Sequence, residues 1–589
     1  MMKRFDGLAE KILILVYLGC AILVANEVPA WVEQSNQHTR LLLDILKEYN
    51  PETAAAYGLS GIDEAIIDLT PGYRERKIKA YEDARSELKK RLEQASITEV
   101  KQDIQILLMA VDETLEDFRL DEKYMLPYFN PSQSVFYSIQ ALLDDQITAE
   151  RRPAALVRLK KYTGLAEGYE PMTENARREI EAKLNNKGLL GPVKRKIERD
   201  LDNVPRYITG IRELFDKYQI TDYEDALNTL EQQVNDYSVF IQEKIVPRSR
   251  ADFRLPEEMY TFNLKAYGVD MPLDEMTRRA KVSFKILQND LTGIAQLLAA
   301  KNNWATADYR EVLQLLKKQQ IVGEDILPLY QQRIKELEEI ARTYNIVSIP
   351  ERDMLIRLAS EAESAALPAP HMRPPRLIGN TGEMGEFVLP LKYPGEDLVM
   401  DDFTHEATTW TLAVHEGRPG HEMQFATIVE KGVSLARAIY AFNSVNVEGW
   451  ALYMESEMKP YLPLEGQFGA LQNLMIRSAR AFLDPGLQSG EISQEEAMRV
   501  LREDVGLSEA LAMQEMERYT FRAPGQATSY FCGYQRMLEL RADVELKLGD
   551  KFDLKAFHDF VLAQGLIPPS VLRAAVFEKF VALSLESGS

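Results

Sequence analysis

The sequence predicts a mainly α-helical protein, a large helical body with a small β-sheet near residues 375–400. Three observations carry that expectation. Apolar residues recur at helical spacing through most of residues 31–370, starting with Leu41, Leu42, Ile45 and Leu46. Capping residues and Pro-containing breaks such as Asn130-Pro131 and Ile349-Pro350 punctuate the runs. One stretch alone changes character: Pro368, Pro370, Pro374 and Pro375 crowd together, then Gly379, Gly382 and Gly385 follow.

Taken in order, amphipathic helices are expected over 74–96, 98–120, 173–187, 193–219, 223–247, 275–299, 307–318 and 326–343. Phe387-Val388-Leu389 and Leu398-Val399-Met400 read as short strands of the small sheet, and helix returns after residue 403. No fixed-period repeat is present, which disfavours a solenoid.

The N-terminus reads differently. Lys3, Arg4 and Lys11 precede an uncharged run of 14 residues, Ile12–Ala25. A spanning helix needs about 20 apolar residues. A basic start, a short apolar core and a small-residue exit describe an export signal over residues 1–30, with cleavage after Ala30. Leu18-Gly19-Cys20 leaves a lipoprotein signal as an alternative, and a retained anchor is another. The mature chain is then expected in the periplasm or cell envelope, with membrane contact only through this segment.

The chain has 589 residues, with 70 Lys and Arg against 91 Asp and Glu, a net charge of −21. Such a surface repels phosphate backbones, which disfavours a nucleic-acid partner. The two cysteines, Cys20 and Cys532, cannot build a disulfide framework or a cysteine–zinc cluster. Any histidine site must draw on six residues: His38, His371, His405, His415, His421 and His558.

The informative segment is His415-Glu416-Gly417-Arg418-Pro419-Gly420-His421. In the common H-E-x-x-H zinc pattern, histidines four apart share a helix face. Six residues of ideal helix turn through about 600°, which separates the rings. Pro419 breaks the ladder and Gly420 tolerates unusual backbone, so a bulge between the histidines can bring both rings to one ion. Glu448, 27 residues after His421 at the start of another amphipathic helix, is the best third ligand. Two imidazoles and a carboxylate hold zinc and leave a fourth position open. Glu416 is then placed to act as general base. Glu455, two turns beyond Glu448, supports a ligand or competes as one. His405-Glu406 has no partner histidine at either spacing. Imidazole and carboxylate also accept other first-row metals, so one zinc ion is an inference from ligand type.

At these residues the chain resembles the bacterial domain-of-unknown-function family numbered 885, regarded as zinc metallopeptidases with gluzincin-like sites. His415 to Gln424 is similar to its H-E-x-x-P-G-H-x-x-Q core, and Glu448 to Glu455 to its E-G-W-A-L-Y-x-E helix. Arg518-Tyr519, Pro524 to Ala527, Ser529-Tyr530 and Gly533 resemble a downstream block, and Leu548 to Asp550 with Phe557 to Asp559 a C-terminal one. The resemblance covers nearly all of 31–589. It implies His415, His421 and Glu448 as zinc ligands, Glu416 as base, Tyr530 and His558 as catalytic donors and Arg522 as a substrate-carboxylate contact. It further implies a central cleft, a peptide substrate and two regions packed as one body: 31–370, and a zinc-binding catalytic region over 371–589. Where many members carry D-x-G-[IL]-H, this chain has Asp484 to Leu487 followed by Gln488, which cannot relay a proton at neutral pH. The alternative function is a non-catalytic zinc-bound binding protein of the envelope.

Overall fold

The computed structural model describes residues 29–321, 323–390 and 398–586. Most of the export signal expected over 1–30 therefore lies outside the described residues. The first described helix is Ala30–Tyr49. Among the described residues no helix is long and apolar enough to cross a membrane.

The chain is mainly helical with one three-stranded sheet. Helical periodicity places most elements within a few residues: Tyr73–Gln94, Thr98–Tyr124, Leu273–Asn302 and Ile326–Thr343 follow the expected runs. The run over 193–219 divides at Asn203 into Lys194–Asp202 and Val204–Lys217. Pro205 explains the break: lacking an N–H, it fits the first turn of a new helix better than the middle of an old one.

The sheet consists of β1 (Leu355–Leu358), β2 (His371–Arg373) and β3 (Glu386–Leu389), in the order β1-β3-β2. β1 runs parallel to β3, and β2 antiparallel. β3 is the strand expected at 387–389. Its partners come from earlier in the chain, and residues 398–400 form no strand. Both edges of β3 are already taken, and Val399 stands 75% exposed while Met400 packs on Ala510. The sheet also crosses residue 370, so the core does not divide there. Gln146 Nε2 donates to Glu386 Oε1 at 2.9 Å, and Arg437 Nε to Asp103 Oδ1 at 2.7 Å, joining early and late segments.

Two helix pairs position the site. Leu273–Asn302 lies along Leu464–Ser489, sharing a core with the edge-on contact Phe284–Phe482 at 5.6 Å. Ser444–Met458 packs on Thr528–Leu548 through facing glycines. A Cβ on Gly533 would lie 2.1 Å from the Val445 carbonyl oxygen, and one on Gly449 2.6 Å from Gly533 Cα. Only glycine allows the backbones this close, and that closeness sets the Glu448 helix beside Tyr530.

Candidate metal centre

The two histidines converge through a local departure from α-helix. Glu406–Leu412 runs into a π turn, Ala413–Gly417, which carries His415 and Glu416. Arg418 is extended (φ −121°, ψ 132°), and Gly420 starts the helix His421–Lys431. A Cβ at Gly420 would stand 2.1 Å from the carbonyl oxygens of both Val414 and His415, so the fold-back requires glycine there by contact. Trp450 Nε1 donates to the Pro419 carbonyl at 3.0 Å and ties the fold-back to the Glu448 helix. The imidazole centroids come to 4.6 Å, with planes at 78°.

Glu448 Oε2 lies 3.4 Å from His415 Nε2 and 3.3 Å from His421 Nε2. These three residues form the one three-ligand His/Cys/Asp/Glu cluster among the described residues. The atoms fit a tetrahedral ion: ligands at about 2.0–2.1 Å from zinc are separated from one another by roughly 3.3–3.4 Å. Glu448 Oε2 and His421 Nδ1 are buried without hydrogen-bond partners among the described residues. An orphaned carboxylate oxygen aimed between two imidazole nitrogens fits a cation held by all three.

Glu455 is not a ligand. Its Oε1 lies 2.6 Å from His415 Nδ1, on the far side of the ring from Glu448. Thr411 Oγ1 and Asn473 Nδ2, the latter at 3.3 Å, donate to Glu455 Oε2. The carboxylate thereby fixes the His415 tautomer with Nε2 free for a metal. Without an ion, burial pulls His415 down, but Glu448 and Glu455 outweigh it and raise it to about 9. Burial likewise works against ionised Glu448, and the two imidazoles hold it well below the usual carboxylate range.

Glu416 follows His415 directly and keeps 8% of its surface exposed. Tyr530 also reaches the cluster: its ring stacks on His415 at 6.2 Å and 9°. Arg518 Nη1 donates to the Tyr530 hydroxyl at 3.2 Å. Burial, and then the charge of Glu448, raise this phenol, so it stays a proton donor at neutral pH.

His558, the second residue expected as a catalytic donor, is packed into the core. It has no exposed surface, its Nδ1 lies 2.8 Å from the Ile346 carbonyl, and its Nε2 2.8 Å from the Tyr453 hydroxyl. With both nitrogens engaged beside Trp450, it is a satisfied core histidine. Arg522 ends the π turn Arg518–Arg522, half-buried, and its charge acts on Tyr137. Tyr137 lines a cavity of about 500 Å³ together with Glu52, Tyr162, His371 and Arg373. Gln488 spends its amide on backbone, accepting from Leu255 N at 3.0 Å and donating to the Tyr519 carbonyl at 2.7 Å. His405 is buried at the start of Glu406–Leu412, outside the cluster.

Sequence reasoning missed Arg477 and Arg480. The signal was there: the helix Leu464–Ser489 is buried almost throughout from Gly466 to Gln488, yet carries two arginines three residues apart. A charge inside an otherwise buried helix calls for a partner.

Fold and site define a mainly helical protein with a buried two-histidine, one-glutamate cluster suited to a divalent metal. The chain belongs to the family described as "Bacterial protein of unknown function (DUF885)", which matches residues 51–576. Its fold is similar to that of a "putative lipoprotein" from Colwellia psychrerythraea, with a TM-score of 0.72 and 19% identity over 93% of this chain and 99% of that one. A "putative lipoprotein of unknown function" from Shewanella oneidensis has a TM-score of 0.65 and 18% identity over 93% and 100%. No curated protein matches the chain.

Proposed function

We propose that the protein is an exported zinc-dependent metallopeptidase that hydrolyses peptide bonds. The observation that carries this reading is the convergence of His415 Nε2, His421 Nε2 and Glu448 Oε2, with Glu416 adjacent to a ligand. A pure binding site has no need for a carboxylate beside the ligand.

His415, His421 and Glu448 would hold the ion. When bound, zinc supplies Lewis acidity toward water and carbonyl oxygen. Glu416 accepts the proton of the attacking water and passes it to the leaving amine. Tyr530, its phenol held protonated and oriented by Arg518, donates to the oxygen that gains charge on the attacked carbonyl. Burial of the cluster excludes bulk water and strengthens each of these contacts. β2 is an end strand of the sheet and packs on the π turn of His415, so its outer edge can pair with an extended peptide. Export and an envelope location rest on the basic start and short apolar run of the N-terminus.

The test is metal content followed by turnover. Purified protein should carry about one zinc per chain and cleave members of a peptide library. Glu416→Gln should keep the zinc and lose cleavage. Protein that takes up no zinc, or a Glu416→Gln variant with unchanged turnover, overturns the reading. Zinc binding without cleavage of any peptide would favour a non-catalytic binding protein instead.

A further inference from the structure

Three arginines surround Tyr530. The guanidinium carbons of Arg480, Arg477 and Arg518 lie 4.5, 5.8 and 5.9 Å from its ring centroid. Two carboxylates face them. Glu515 is committed to Arg480, accepting from Nε at 2.8 Å and Nη2 at 2.7 Å, and also accepts from the Tyr519 hydroxyl at 2.7 Å. Arg518 stands 3.8 Å from the same carboxylate and donates to Tyr530 and, at 3.3 Å, to Gln526. Glu455 is committed to His415 and lies 3.9 Å from Arg477 Nη2, too far for a hydrogen bond.

Arg477 is therefore left over. It is 7% exposed, its Nε is buried without a hydrogen-bond partner among the described residues, and its Nη2 has Glu455 only at 3.9 Å. Arg480, 6% exposed, has Nη1 similarly unpartnered. A buried guanidinium whose nearest carboxylate is shared with a histidine and lies beyond hydrogen-bond reach leaves its donors unsatisfied, which is costly, so such a group persists where a ligand completes it. The charges agree: three guanidiniums meet two carboxylates, which leaves one positive charge without a match. The location agrees as well. One oxygen, Glu455 Oε1, borders both His415 Nδ1 and Arg477, and Tyr530 touches both His415 and the arginines. A planar fork with free donors suits a carboxylate.

We propose that Arg477 and the free edge of Arg480 form a carboxylate-binding subsite beside the metal cluster. Resting on the metallopeptidase reading, the substrate is then a short chain that presents a carboxylate close to the bond to be cut. That carboxylate is either the free C-terminus or an Asp or Glu side chain.

The test measures binding by calorimetry to zinc-loaded Glu416→Gln protein. Three probes are used: an N-acetylated alanine tripeptide with a free C-terminus, its C-terminal amide, and the amide with aspartate at the last position. The free acid, the aspartyl amide or both should bind at least tenfold tighter than the plain amide. The tighter of the two identifies the source of the carboxylate. Adding Arg477→Gln should bring all three probes to within about threefold, with zinc content unchanged. Arg477→Lys, which keeps the charge and guards against misfolding of the first variant, should retain part of the preference. Equal binding of all three probes, binding of none, or a preference that survives Arg477→Gln overturns the subsite. The two readings separate on the parent protein: cleavage without carboxylate preference sinks the subsite alone, and carboxylate preference without cleavage sinks the peptidase alone.

Discussion

Glu455 Oε1 sits 2.6 Å from His415 Nδ1, and the carboxylate is itself completed by Thr411 and Asn473. The pair orients the ligand ring from behind while Glu448 approaches its other nitrogen. Replacing Glu455 by Gln leaves a hydrogen bond but removes the charge. Zinc affinity should fall by about 10–100-fold, as is usual for the outer partner of a ligating histidine. Competition against a chromophoric chelator measures it. Affinity within twofold of the parent would mean that Glu455 does not tune the site.

Tyr530→Phe removes one hydroxyl and keeps the ring that stacks on His415. Zinc content should be unchanged. On peptide substrates kcat should drop by about 10²–10³-fold, the range for loss of one oxyanion donor, with KM little altered. A change confined to KM would make Tyr530 a substrate contact.

Gly533→Ala forces a methyl to within 2.1 Å of the Val445 carbonyl and against Gly449. The two helices must separate, at a cost of about 1–3 kcal/mol. Because Glu448 rides on one of them, zinc affinity should weaken with stability. Thermal unfolding and chelator competition on the same preparation test both effects. Unaltered melting would show that the contact can relax locally.

His405 and His558 predict the acid limb of stability. Burial is the leading cause in both and lowers each from 6.5 to about 4. For His405 the nearby Lys317 adds to the shift against Asp402, and for His558 Arg541 adds to it against the Ile346 hydrogen bond. The folded state thus disfavours the proton that the unfolded state accepts. Their contribution is fully present above pH 6.5 and is lost as pH falls from 6.5 toward 4, on the order of 3 kcal/mol each. His558→Gln should reduce the pH dependence of denaturant stability in that window by about one proton in metal-free protein. Identical slopes for parent and variant would contradict a neutral His558.

How much of this was legible beforehand differs by residue. The π turn and the Pro419-Gly420 fold-back realise what a six-residue histidine spacing requires of the backbone, and Glu448 arrives where a helix start had placed it. Glu455 was open between two roles, because helix periodicity sets a face but not the neighbour that face meets. Tyr530 and His558 were both candidates as polar aromatic residues in matched blocks. Packing separates them: one stacks on the His415 ring, the other closes two hydrogen bonds in the core.

The sequence by itself determined the helical class, the His415–Glu416–His421 constellation and Glu448 as its third candidate ligand, since these depend on spacing of a few residues and on backbone chemistry. Tertiary structure decided which strands pair with 386–389, that Glu455 stands behind His415, that both ring nitrogens of His558 are engaged in the core, and that Arg477 Nε is buried without an acceptor among the described residues. Each of these joins residues tens of positions apart or more. Such contacts are set by how whole helices and strands bury their apolar faces, which no local pattern encodes.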